Sequence, residues 1–465
     1  LAQRAMAGVF VDYRGREHAT GSIGLWGGLD RFRARSNLTG YTLGTANDEG
    51  LPLSDASEQT NRTGSVGLSG RYRSEAFHVG QAVHGTLEVG GDARLDSVEQ
   101  KKDLLDAALR DEVWSQKIDA QSTIAQLGMW ADLDVELHRR VHVRGGARVA
   151  LLTYAVDDRA TLEAHDHGQE GEPPDEHSAE PTQNAADALF VGPRTSLEVD
   201  VVSGLHLLAS YGHGYRSPQA RTLAHGEQAE YSVVRSGDVG FRFGVSDHVV
   251  LSGAGYLAYV GQDLVFEPHV GGLVNVGSSR RAGGLLHLRI HPIEALQGAL
   301  SVNYVDARIL KPSSDEHDEH DEHDPDEVLG DVNEGHSHGE PGDPVVGVAP
   351  LSVRLDLNWK KPLRRIGAHP LVFGVGSGLT YRSPKPLGED SWGSTWLLLD
   401  ASAQLVWGPV ELQLSGFNLL QQKYATEEYL SVSTWDATGA TAPSEDHHIA
   451  AGPPLSFMAT LGLLL

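Results

Sequence analysis

Between Leu351 and Trp359 the chain alternates with a period of two. Leu351, Val353, Leu355, Leu357 and Trp359 fall on one side, and Ser352, Arg354, Asp356 and Asn358 on the other. Successive side chains of a strand point to opposite faces, so the segment reads as a strand with one oily and one ionic face. The same pattern recurs in Leu399 to Trp407, with Asp400, Ser402 and Gln404 opposite, and in Val410 to Leu414, with Glu411 and Gln413 opposite. Val141 to Leu151 repeats it and places His142, Arg144 and Arg148 together. Such strands suit a soluble sandwich with its grease inside, or the inverse, a barrel with apolar residues in lipid and charged ones around a wet bore.

Loop lengths discriminate. Walking back from a final strand at 455–465, the pattern predicts strands near 409–420, 393–407, 370–382, 350–360, 298–310, 272–291, 248–266, 232–245 and 204–216. Before them come 188–202, 141–157, 122–139, 80–97, 63–75, 28–42 and 6–24, which makes 17 in all. Short connections such as Val202-Ser203-Gly204, Ser246-Asp247 and Gly408-Pro409 alternate with long polar ones at 43–62, 98–121, 158–187, 217–231, 311–349, 383–392 and 421–454. Short turns on one rim opposite long loops on the other are the mark of an outer-membrane barrel; a sandwich has no reason to segregate its loops. The expected fold is therefore all-β, a transmembrane antiparallel barrel occupying 1–465. Single-chain bacterial barrels nearly always have an even strand count, so the odd number means that at least one strand lies before Leu1 or is miscounted.

Composition narrows the partners. The formal net charge is −26, with 37 Lys plus Arg against 63 Asp plus Glu. That argues against nucleic acid, which needs a positive surface, and for cations. There is no Cys, which excludes disulfides, thiol catalysis and thiolate metal sites. No run approaches the roughly 18 apolar residues of a membrane-crossing helix. Gly-x-Ser-x-Gly, His-Glu-x-x-His and Gly-x-Gly-x-x-Gly are absent, so hydrolase, zincin and dinucleotide chemistry lack their motifs, and no enzyme or resident cofactor is expected.

Three stretches resemble the TonB-dependent outer-membrane receptor family. Tyr211-Gly212-His213-Gly214-Tyr215-Arg216-Ser217-Pro218 resembles its Gly-Phe-Arg-Ala-Pro signature. Asp263-Leu264-Val265 with Asn275 and Gly283-Gly284 resembles the next family segment, and Phe417-Asn418-Leu419-Leu420 with Tyr424 the Asn-Leu-Phe and Tyr pair before the last loop. The likeness runs from about residue 60 to the end and departs from the family at Leu465, where an aromatic residue is usual, and at Pro454, where Arg is common. It implies a 22-stranded barrel of which about 17 strands are visible here. It also implies a plug domain upstream of residue 1, absent from this chain, through which a TonB-type energy-transducing complex of the inner membrane would act on a monomeric receptor. Tyr215, Tyr304, Trp359, Tyr381 and Trp407 then read as interfacial girdles.

Histidine carries the chemistry. It clusters in three long loops: His165, His167 and His177; His317, His320, His323, His336 and His338 among Asp-Glu-His triplets; and His447 with His448. Imidazole flanked by carboxylate is the ligand set of borderline divalent metals, zinc foremost, whereas calcium or magnesium would need no histidine. On the strand walk all three loops face outward, as a capture antenna. His213 and His225, near Tyr211, are candidates for a deeper transport site. His138, His142, His206, His248, His287 and His291 read as lumen-lining or turn residues. The expected function is uptake of a divalent metal, resembling the family's zinc-receptor branch. A receptor for a siderophore or cobalamin, kept open by Arg216, Arg221 and Arg235, and a passive porin-like channel are the alternatives.

Overall fold

The computed structural model describes residues 1–15, 19–42, 53–80, 83–106, 112–159, 182–216, 231–267, 272–312, 339–388, 390–438 and 441–463. Within them runs an 18-stranded antiparallel sheet. Its members are β1 (Ala2–Arg14), β2 (Thr20–Ser36), β3 (Ser57–Arg73), β4 (Phe77–Val79), β5 (Val83–Asp106), β6 (Glu112–Leu137), β7 (Val141–Asp158), β8 (Thr182–Val202) and β9 (Leu205–Arg216). They continue with β10 (Ser232–Ser246), β11 (Val249–Glu267), β12 (Gly272–Ile293), β13 (Leu296–Lys311), β14 (Leu351–Ile366), β15 (His369–Arg382), β16 (Trp396–Trp407), β17 (Val410–Phe417) and β20 (Ser456–Leu463). β4 is a three-residue ribbon folded back on β5, which leaves 17 of the 18 strands as the wall. Each wall strand pairs with the next in the chain. Among the described residues β1 pairs with β2 alone and β20 with β17 alone.

The inverted pattern is real. On β8, Leu189 and Val191 are 67% and 56% exposed, while Ala188 and Phe190 between them are buried. Leu127 and Met129 on β6 and Val149 and Leu151 on β7 share that exposed apolar face through direct cross-strand pairing. The opposite row holds Asp132, Arg144 and Arg194, which meet in ion pairs across β6, β7 and β8, and Arg148, which pairs with Asp92 of β5. Guanidinium on the lipid side would cost about 2–4 kcal/mol each, so the two rows cannot exchange places.

Connections alternate in length. One rim has brief turns, among them His138–Arg140, Ser203-Gly204, Asp247-His248, Gly367-Ala368 and Gly408-Pro409, and the somewhat longer β3–β5 connection that carries β4. At the first of these, His138 and Arg139 both take positive φ (53° and 58°), the geometry that lets a tight hairpin follow the strand twist. The other rim carries the connections around 37–56, 159–181, 217–231, 312–350, 383–395 and 418–455.

Two expected elements are corrected. The strands read at 6–24 and 28–42 are Ala2–Arg14 and Thr20–Ser36, because the chain reverses at Gly15, whose amide donates to the Ala19 carbonyl. The long loop expected at 98–121 is instead the top of the β5–β6 hairpin, paired as far as Asp106 opposite Glu112. Beyond the hydrocarbon both faces of a ribbon are wet, so alternation fades and a polar strand reads as a loop. In addition, the 421–454 segment contains its own hairpin, β18 (Ala425–Ser433) against β19 (Ser444–Ala451).

Candidate functional site

The long-loop rim is built over by three features. The first is an apolar layer. β8 and β9 are paired only up to Arg194 opposite Gly212, after which β9 continues with β10 alone to Arg216 opposite Ser232. Freed from β8, Tyr215 packs against Phe190 (ring centroids 4.5 Å) and Tyr231 (4.7 Å) and accepts a 2.8 Å hydrogen bond from Gln126. Leu152, Tyr154 and Val156, on the row of the ion pairs, complete the cluster. Tyr215 is therefore part of the mouth and not of an interfacial girdle. Burial pushes the Tyr231 hydroxyl well above the ordinary phenol range.

The second feature anchors the longest histidine-bearing tract. Val345 and Val348 cover Val305, Ala307 and Ile309 at the top of β13. The Ile309 amide donates to Asp343 O at 2.9 Å, and the Gly342 amide returns to Ile309 O at 2.8 Å. Both ends of the 313–338 tract are thus tied to one strand top.

The third is the β18–β19 hairpin, which reaches across the mouth. At one end Thr434 exchanges backbone hydrogen bonds with Thr39 (3.0 Å) and Tyr41 (2.9 Å) of the β2–β3 connection. On the other side Phe266 of β11 meets Tyr429 at 6.2 Å between rings. Gly40 stands where these segments touch: its φ is +86°, and an added Cβ would lie 2.1 Å from the Thr434 oxygen. Gly40→Ala is accordingly expected to release the hairpin from the β2–β3 connection, read as faster amide exchange at Tyr41 and Thr434 with the wall strands unchanged. Equal exchange in both proteins would refute this tie.

Two of the expected ligands lie on that hairpin. His447 Nε2 is 3.7 Å from Glu428 Oε1, a carboxylate with no exposed surface that accepts from the Ser394 amide at 2.8 Å and from the Ser394 hydroxyl. His448 stacks on Tyr429 (5.3 Å, 15° between planes). Burial raises the Tyr429 hydroxyl, so it stays protonated at neutral pH. At the hairpin tip, hydrogen bonds from Thr438 and Thr441 hold Asp436 down to about 2. A depressed carboxylate stabilises the fold fully above its unfolded value and loses that contribution only as pH falls through about 2, so this tip stays ordered in mild acid.

His213 donates or accepts a 2.7 Å hydrogen bond with the Tyr211 hydroxyl. It shares the row of Tyr211 and Leu207, turned away from Ser210, which bonds Asp238. His165, His167, His177, His225, His317, His320, His323, His336 and His338 lie outside the described residues. Of the arginines that kept a chelate open, Arg216 and Arg235 are exposed at the strand tops, and Arg221 lies outside the described residues.

The family-like stretches gain physical reasons. Asp263 sits at a β-bulge of β11, fully buried, accepting from Ser279 Oγ at 2.6 Å and Arg281 at 2.7 Å. Gly283 leaves room for the Tyr256 hydroxyl, which an added Cβ would meet at 2.6 Å. Asn418 ties the two ends of the last long connection, through Gln422 and Pro453.

With this geometry in hand, the family model of the TonB dependent receptor-like β-barrel matches residues 5–419. The chain belongs to the TonB-dependent receptor β-barrel family. Solved structures with the same fold include the siderophore receptor PiuA from Acinetobacter baumannii (TM-score 0.70, 14% identity, 99% of this chain and 64% of that one). The copper transporter OprC (0.65, 15%, 99% and 65%) and the ferric citrate transporter FecA in its unliganded form (0.67, 13%, 100% and 61%) are similar. At these identities the likeness speaks for the fold alone. The chain spans 61% of the FecA structure and 64% of the PiuA structure. No curated protein sequence matches it. Membership in a family of outer-membrane receptors and transporters supports an outer-membrane location and is consistent with a chain that catalyses no reaction.

Among the described residues, one group of metal-ligating side chains converges: Glu198, Asp200 and His206, with all ligand atoms within 4.8 Å of one another. In the sequence His206 reads as a lumen-lining or turn residue, with nothing to join it to its carboxylates. Only the register of β8 on β9, which sets Asp200 opposite His206, brings them together.

Proposed function

We propose that this barrel is the wall of a TonB-dependent outer-membrane receptor that imports a divalent metal ion, zinc before others. Histidines and carboxylates of the long-loop rim capture the ion, and an inner-membrane TonB complex, acting through a plug upstream of residue 1, opens the path. The observation that carries this reading is the pairing of His447 with buried Glu428 on the hairpin that crosses the mouth. It stands on the same rim from which the 313–338 tract departs. An imidazole beside a carboxylate is a zinc ligand pair, and a negatively charged chain concentrates cations before they bind. The receptor would act as a monomer, with zinc as cargo and no resident cofactor.

A second reading, import of a metal chelate, draws on the similar structures named as siderophore and ferric citrate receptors. Arg382 supports it: its partly buried guanidinium lies 3.5 Å from the centre of the Trp396 ring near the mouth, a cation held where an anionic ligand would pass.

Calorimetric titration of Zn²⁺, Ni²⁺ and Cu²⁺ into the full receptor, beside a variant lacking 313–338, separates the two. The metal-ion reading expects the deletion to remove most weak zinc equivalents and to slow zinc uptake by cells at limiting metal. It also expects binding to weaken as pH falls, because imidazole must be deprotonated to coordinate. Unchanged stoichiometry and uptake in the deletion variant, with saturable binding of a ferric chelate, would favour the second reading instead.

A further inference from the structure

The opposite rim holds a pattern that has no counterpart in the linear sequence. On the lumen-facing row beside the short turns, His84 of β5 stands directly opposite Glu136 of β6, and Glu136 opposite His142 of β7. His142 in turn is opposite Glu198 of β8, and two positions along β8, Asp200 is opposite His206 of β9. Imidazole and carboxylate therefore alternate across five neighbouring strands. Directly paired residues have Cβ atoms roughly 4.5–5.5 Å apart, so each such pair can bind one ion from two sides. Cross-strand partners share a face, and this one is the face of Asp132 and Arg144, not that of the exposed Leu133 and Leu197.

At one end of the row the ligands have already converged. His206 Nδ1 is 2.5 Å from Asp200 Oδ1 and 3.7 Å from Glu198 Oε1. One imidazole nitrogen and two carboxylates is a hard-to-borderline donor set that suits zinc and, without thiolate, gives a soft cation no advantage. His142, opposite Glu198, is the neighbour from which a fourth ligand would come. Two cations face this region: Arg242, opposite His206 on β10 and exposed, and Arg144, which lines the same recess as His142 and Glu198 and pairs with Asp132.

We propose that the lumen wall beside the short-turn rim carries a divalent-metal site centred on Glu198, Asp200 and His206 and extended by His142, Glu136 and His84. Three protein ligands with an open side toward the bore make a site that exchanges its ion rather than sealing it in. The binding site stands on the strand register and needs none of the outer loops. Only its role, as the last station before the ion leaves the barrel, rests on the proposed uptake of metal.

The test uses Co²⁺, whose visible absorption reports coordination, in the full receptor from which 313–338 is deleted and His165, His167, His177, His225, His447 and His448 are changed to Asn, so that the histidines of the outer rim are removed. One saturable Co²⁺ equivalent, displaced by Zn²⁺, is expected. His206→Gln should weaken it at least about tenfold and alter the spectrum, and Asp200→Asn should weaken it by a similar factor. His138→Asn, on the same rim but in the turn, should leave it unchanged. Heat-modifiability in gels confirms that each variant is folded, and Gln at 206 keeps a hydrogen-bonding group beside Asp200. Absence of a saturable equivalent in the parent, or equal affinity in folded His206→Gln, overturns the site. Loss of zinc uptake on outer-loop deletion with no Co²⁺ at this rim would leave the uptake reading standing and end this one; Co²⁺ at the rim with unaffected uptake does the reverse.

Discussion

Replacing Asn418 by Val is expected to lower the stability of the folded barrel by about 4 kcal/mol, the sum of roughly 1 kcal/mol for each of three side-chain hydrogen bonds and of the backbone strain it introduces. Asn418 follows β17 with a φ of 49°, in the left-handed region that Asn tolerates and a β-branched residue resists. Its side-chain nitrogen donates to Gln422 O at 2.9 Å and to Pro453 O at 3.2 Å, and its oxygen accepts from the Gln422 amide at 3.0 Å. Its own amide donates to Asp400 on the neighbouring strand, also at 3.0 Å. One buried amide thus fixes where the chain leaves the wall and where it returns for β20. Without it, the hairpin bearing His447 and His448 loses its base. Asn418→Gly, which relieves the strain but not the lost bonds, should fall between Val and the parent. Urea unfolding in detergent, followed by tryptophan fluorescence, gives the order; a Val variant with the parent's midpoint would mean that the loop is held elsewhere.

The wall was legible because lipid and water impose opposite demands on alternate residues, and stretches such as Leu351 to Trp359 obey both. Where one demand lapses, legibility lapses too. Gln100, Lys101 and Lys102 on β5 pair with Ala120, Asp119 and Ile118 above the membrane, and no alternation marks them as a strand. The turn at Gly15–Ala19 lacks Pro, Asn or a paired Gly, so two strands were read one turn out of place. The Asn418 stretch was recognisable as a family feature, but its reason, a bond to Pro453 far along the chain, was not. His142 and His206 look scattered in the sequence for a related cause, and His84 draws no notice there at all. They are some 60 residues apart in sequence and adjacent only through registers set by bulges and turns. The outer histidine tracts were the reverse case, conspicuous in composition and silent about geometry.

Register also governs the second large effect, at Asp132. Its side chain is 1% exposed and lies across β7 toward β8, where it accepts from Arg194 Nε at 2.7 Å, while Arg144 donates to it at 3.2 Å. The space it crosses exists because Gly146 stands opposite it: a Cβ there would be 2.1 Å from Asp132 Oδ1. Arg194 also lies 5.7 Å from the Trp130 ring centre, so one carboxylate organises two guanidiniums and an indole. Asp132→Ala leaves both arginines without their shared partner. Breaking a fully buried pair costs about 3–5 kcal/mol, but these guanidiniums are half exposed to the bore, so about 2 kcal/mol is expected. Gly146→Val should cost at least as much, since its side chain would evict the same carboxylate. A double-mutant cycle between Asp132→Ala and Arg194→Ala isolates the pair. Coupling below about 0.5 kcal/mol would place Asp132 among ordinary surface ion pairs and show that the glycine, not the charge, shapes this part of the wall.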